Sequence, residues 1–166
     1  MKPSSRFWIS AGATVLWMVM MANLIRPLNS RMIVAFEFAG SVEKATAIVQ
    51  EWSTSGIVSN AYLSIYLDFV FLVLYSLTIY LALRWALEFS SSRVKTITNF
   101  LLIVLWVAPA MDCIENFALL SVLSTPTPTA IKLAFAAATL KFIIVGLSLL
   151  YLLAFLIFIG LRKLGF

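Results

Sequence analysis

The sequence predicts an all-α integral membrane protein: a four-helix antiparallel bundle, both termini cytoplasmic, with an amphipathic helix in the first outer connection. Three observations carry this. The 166 residues are 63% hydrophobic and 11% charged, with mean hydropathy +1.04, against about 25% charged residues in ordinary soluble domains. Four apolar runs are long enough to cross a hydrocarbon core about 30 Å thick. The basic residues Lys2, Arg6, Arg84, Arg93, Lys95, Arg162 and Lys163 all fall on one side if the chain crosses four times, which is the positive-inside pattern.

The first span, Phe7–Ile25, follows a short basic start and closes at Arg26-Pro27. No A-x-A cleavage site follows it, so an uncleaved helix is expected rather than a signal peptide. Arg26–Asn60 is the long outer connection. Within it Val42, Ala45, Val49 and Trp52 give residues 41–52 an amphipathic helical spacing. Gly40-Ser41 supplies the N-cap and Glu43 an acid in the first turn. Such a segment suits the interface or the mouth of the bundle, as a lid or simply as a linker. Met32–Phe38 is apolar around Glu37, which puts that acid near the mouth.

The second span is Ala61–Leu83, ended by Arg84-Trp85, and Glu88–Thr98 reads as a short polar connection. The third span is Asn99–Leu123. Ser124–Thr129, STPTPT, is a Pro-punctuated turn too short for a domain. The fourth span, Ala130–Leu161, closes on Arg162-Lys163. Residues 1–166 therefore form one transmembrane domain, with spans near 7–25, 61–83, 99–123 and 130–161. A bacterial inner (plasma) membrane location is expected, with membrane lipids as partners and a homo-oligomer or membrane complex as the setting.

Composition also excludes chemistry. With no histidine and one cysteine, the chain cannot build a His-ligated haem, a His/Cys zinc site, a His-dependent hydrolytic triad or an internal disulfide. The formal charge of +5 is explained by topology, so no nucleic-acid partner is expected. Acid–base or metal chemistry would fall to carboxylates, Lys, Tyr, hydroxyls or amides.

Asp112, Glu115 and Asn116 lie inside the third span at i, i+3 and i+4, hence on one helix face. An ionisable group at bilayer depth costs roughly 2.5–3.5 kcal/mol on insertion scales and marks a functional candidate. Pro109, one turn earlier, removes an amide donor and can bend the helix. Counted from the cytoplasmic edges at about 1.5 Å per residue, Asp68 lies roughly 24 Å up, Asp112 about 21 Å, Glu115 about 26 Å and Lys141 about 31 Å. Ionisable groups from three helices thus share the outer part of the bilayer. Ala134, Ala137 and Ala138 let the fourth helix approach a neighbour closely, and Tyr75 lies two turns below Asp68 on the same face.

If Asp68, Asp112, Glu115 and Lys141 were all ionised, two negative charges would stand uncompensated. In a low-dielectric site some acids hold protons, or a cation or cationic ligand completes the set, or outside water enters. Three functions fit. The pocket binds a cation, a proton or a small amphipathic ligand. Alternatively, carboxylate acid–base chemistry acts on a lipid or isoprenoid, or Asp112 and Glu115 hold a divalent cation such as Mg²⁺ against a phosphate headgroup. In the third, the polar residues are bundle glue in a structural or assembly subunit.

F-E-F-A-G at Phe36–Gly40, D-F-x-F-x-x-x-Y at Asp68–Tyr75, D-x-x-E-N at Asp112–Asn116 and the later Lys141 together resemble an uncharacterised family of small four-span bacterial membrane proteins. The resemblance implies the same four-helix arrangement and the grouping of these residues, and it adds Glu37 to them. The candidate site is therefore Asp68, Asp112, Glu115, Asn116, Lys141, Tyr75 and Glu37.

Overall fold

The computed structural model describes residues 3–163. Lys2 lies outside them, as do the side chains of Arg93, Arg162 and Lys163. The described residues form seven helices and no strand: α1 (Pro3–Leu24), α2 (Ser30–Glu37), α3 (Val42–Thr54), α4 (Val58–Glu88), α5 (Ser92–Val104), α6 (Val107–Ser124) and α7 (Pro128–Lys163). Four stretches are long and apolar enough to cross a membrane: Ser4–Leu24, Val58–Glu88, Val94–Ser124 and Pro128–Leu161. This is the make-up of an integral membrane protein.

Each span is longer than hydropathy alone marks it, because helix continues into flanking polar residues. Glu88–Thr98 shows this most clearly. Only Phe89–Ser91 connects α4 to α5, and helix already runs from Ser92. The third span is in turn two helices, α5 and α6. Pro109 has no N–H to give the Leu105 carbonyl, which accepts instead from the Ala108 amide at 3.0 Å. The chain tightens there and the helix is interrupted between Val104 and Val107, the break that proline chemistry anticipates.

Inside lipid the hydrophobic effect does not drive helices together, so close packing and interhelical hydrogen bonds must. α6 packs on α7 and α1 on α4, while α4 also meets α5, α6 and α7. On α7 the side chains of Ala134, Ala137 and Ala138 are all buried, as are Ala108 and Ala118 on α6, and Ala118 and Ala134 share one apolar cluster. The α1–α4 seam uses hydroxyls. Thr78 Oγ1 lies 2.8 Å from both Ser10 Oγ and Thr14 Oγ1, and Trp17 Nε1 donates to the Leu67 carbonyl at 3.2 Å.

The first connection is ordered into a cap over one end of the bundle. Asn29 caps α2 by accepting from the Arg31 and Met32 amides, and Ser41 caps α3 by accepting from the Lys44 amide. Gly40, at φ +69°, makes the turn between them. α3 ends in a Schellman motif: the Gly56 amide donates to the Ser53 carbonyl and the Ile57 amide to the Trp52 carbonyl. That motif sets the entry into α4. Phe36 and Trp52, both buried, pack at 5.0 Å between ring centroids. Phe38 meets Phe135 and Phe142 of α7 at 5.5 and 5.6 Å. The Met32–Phe38 stretch is thus a helix in its own right, and it lies over the bundle.

Candidate functional site

α6 supplies the centre. Its face at positions 112, 115 and 116 is buried, and its acids meet the buried Lys141 of α7. Lys141 Nζ donates to Asp112 Oδ1 at 2.8 Å and lies 2.7 Å from Glu115 Oε2, although off the axis of a good hydrogen bond. The side chains of Asp112 and Glu115 are only 2% and 0% exposed and that of Lys141 10%. These are the two ion pairs among the described residues. Burial on this scale is tolerable only because opposite charges are in close contact, although two carboxyls share the single ammonium.

α4 contributes two more groups. Tyr75 Oη donates to Asp112 Oδ2 at 2.9 Å, so that carboxylate takes one donor on each oxygen. Asn116 Nδ2 donates to Asp68 Oδ2 at 2.8 Å, linking the second acid to the same face of α6. All three polar residues of the D-x-x-E-N run therefore have partners on neighbouring helices.

The fourth acid comes from the cap. Glu37, at the end of α2, lines the same cavity as Asp68, Asp112 and Lys141. Burial pushes its carboxyl above the ordinary carboxylate range; the Lys141 ammonium pulls it down, the Asp112 charge pushes it up, and the Glu115 contact lowers it. Glu37 Oε2 and Glu115 Oε1 are buried with no hydrogen-bond donor. A proton shared by these two carboxyls would supply one. The α2 helix, which periodicity did not mark, is what folds Glu37 inward.

A cavity of about 380 Å³ runs beside these groups. Asp68, Glu37, Asp112, Lys141 and Tyr75 form its polar wall, while Phe71, Ile79, Phe142, Val145 and Leu149 form its apolar one. Phe142 and Leu149 are also well exposed, so the cavity reaches the molecular surface along α7. A second cavity, about 660 Å³, lies under the Arg26–Ser30 turn and shares Glu37, Asp68 and Phe71 with the first. The two meet at the acids.

All seven residues grouped from sequence converge here. Thr14, Thr78 and Phe142 line the cavity as well and carried no sequence signal beyond being small or apolar residues in a span. The pair expected to hold a divalent cation, Asp112 and Glu115, is bridged by the Lys141 ammonium. Among the described residues no group of three His, Cys, Asp or Glu side chains is arranged to bind a metal. Set against known protein families, curated proteins and solved structures, the chain matches none.

Proposed function

We propose that the protein binds a small amphipathic molecule with a cationic head, taken from the membrane into the acidic chamber between α4, α6, α7 and α2. The observation that carries this is the pairing of an acid-rich wall with an apolar one in a single cavity that reaches the surface along α7. At about 380 Å³ the space is far larger than a bare ion needs, and it falls in the range of small-molecule sites, roughly 300–1,000 Å³. Four carboxyls face one ammonium, so the empty chamber is short of positive charge and must hold protons. A cationic head supplies that charge, and its tail lies along Phe142, Val145 and Leu149.

The antiparallel, both-termini-inside arrangement belongs to the same proposal. Hydrogen bonds from Ser10 to Thr78 and from Trp17 to Leu67 support opposite directions for α1 and α4. Bonds from Tyr75 to Asp112 and from Asn116 to Asp68 support the same for α4 and α6. The basic residues at one end support a cytoplasmic face there, in a bacterial inner membrane. The chamber then lies toward the outer side.

A second reading rests on one observation. Tyr75, Asp112 and Lys141 form a hydrogen-bonded chain that borders the cavity, an arrangement able to move a proton to or from a bound lipid.

Binding of dodecylamine and of dodecanol to the purified protein tests the first reading. Selective binding of the amine, lost in the Asp68→Asn, Glu37→Gln double variant, is expected. Equal binding of both compounds, or full retention by the variant, refutes the charged-head proposal.

A further inference from the structure

At the other end of the spans lies a concavity of about 590 Å³ with the opposite electrostatic character. Three helices converge on it: Arg6 comes from α1, Arg84 and Tyr80 from α4, and Lys95 and Asn99 from α5. Glu88 is the one acid in its lining, which leaves two positive charges in excess. Arg6, Arg84, Lys95 and Glu88 make no ion pair among the described residues, where the ion pairs are both at Lys141. Topology alone explains basic residues at span ends. It does not explain three of them around one depression together with a phenol and an amide, both able to donate hydrogen bonds.

We propose that this depression binds a phosphate-bearing anion, and that its natural source is the headgroup of an anionic phospholipid. Guanidinium and ammonium groups match phosphate oxygens in charge and donor geometry. Basic pockets between helices at the cytoplasmic face are suited to such headgroups. The surroundings favour a lipid over a soluble phosphate. Ile103 and Trp106 of the neighbouring third span are 74% and 54% exposed, and Trp106 packs on Tyr80 at 5.8 Å between ring centroids. An acyl chain would continue from the phosphate along this apolar surface. The site is independent of the acidic chamber.

The test uses the full chain in a neutral detergent, titrated with short-chain phosphatidylglycerol, short-chain phosphatidylcholine or inorganic phosphate and followed by native mass spectrometry and thermal shift. Phosphatidylglycerol is expected to bind and stabilise, phosphatidylcholine far less. Each cation removed (Arg84→Gln, Lys95→Gln) should weaken binding roughly fivefold. Arg84→Lys should retain most of it, and Lys44→Gln, in the outer cap, should change nothing. Added salt should weaken it. Inorganic phosphate binding as tightly as phosphatidylglycerol overturns the lipid assignment. Equal affinity for both lipids, or indifference to the Arg84 and Lys95 substitutions, overturns the site.

Discussion

Replacing Lys141 with methionine keeps the length of the side chain and deletes its charge. Asp112 and Glu115 then remain buried, 2.8 and 2.7 Å from where Nζ had been, with no cation. Removing one partner of a buried pair costs about 3–5 kcal/mol, mostly because the other charge is stranded. For a chain of this size 1 kcal/mol corresponds to roughly 2–4 °C in Tm, so a fall of about 10 °C is expected at neutral pH. Adding Asp112→Asn and Glu115→Gln removes the stranded charges and should recover most of the loss, since matched neutral replacements of buried pairs are often neutral or stabilising. Acidification should also shrink the deficit, because protonated acids no longer need a counter-ion. Tryptophan fluorescence during thermal unfolding, in detergent and in lipid, measures all of these. A Lys141→Met protein within about 1 kcal/mol of the parent, or a deficit unchanged by pH, refutes the charge assignment.

Three further outcomes follow from the same geometry. Because burial holds the Glu37 carboxyl above its ordinary value of 4.5, the fold favours its protonated form; that stability is complete below the ordinary value and is lost as pH rises through the raised one, so Glu37→Gln should flatten the decline of Tm with pH above about 4.5. Trp52→Ala should cost about 3–5 kcal/mol by opening the contact with Phe36, and hydrogen exchange should quicken across residues 30–54 while α4, α6 and α7 stay protected. Thr78→Val should cost on the order of 1 kcal/mol, two interhelical hydrogen bonds at about 0.6 kcal/mol each, read from denaturation midpoints against a Thr139→Val control, whose hydroxyl donates within its own helix to the Phe135 carbonyl.

The four spans were legible because a bilayer demands long apolar helices, and hydropathy measures little else. Grouping Asp68, Asp112, Glu115 and Lys141 was legible for a related reason: depth along a helix is close to a count of residues. Pro109 announced the α5–α6 break through its missing amide. What the sequence hid was set by tertiary contacts. α2 is only eight residues long, its apolar residues are interrupted by Glu37, and its direction depends on Phe38 meeting Phe135 and Phe142 far along the chain. Thr14 and Thr78 look like ordinary helix residues until two helices face each other. The basic depression is divided among α1, α4 and α5, so no window of sequence contains it.

On the proposed function, the unliganded chamber carries protons that a cationic head replaces. Infrared difference spectroscopy of the purified protein, recorded as dodecylamine is added in weakly buffered medium with a pH indicator, reads both sides of that exchange. The expected result is a carboxylic-acid carbonyl band in the empty protein, reduced in the Glu37→Gln variant, that falls as the amine binds while protons appear in the medium. An empty protein with no such band, or amine binding with neither loss of the band nor release of protons, contradicts it.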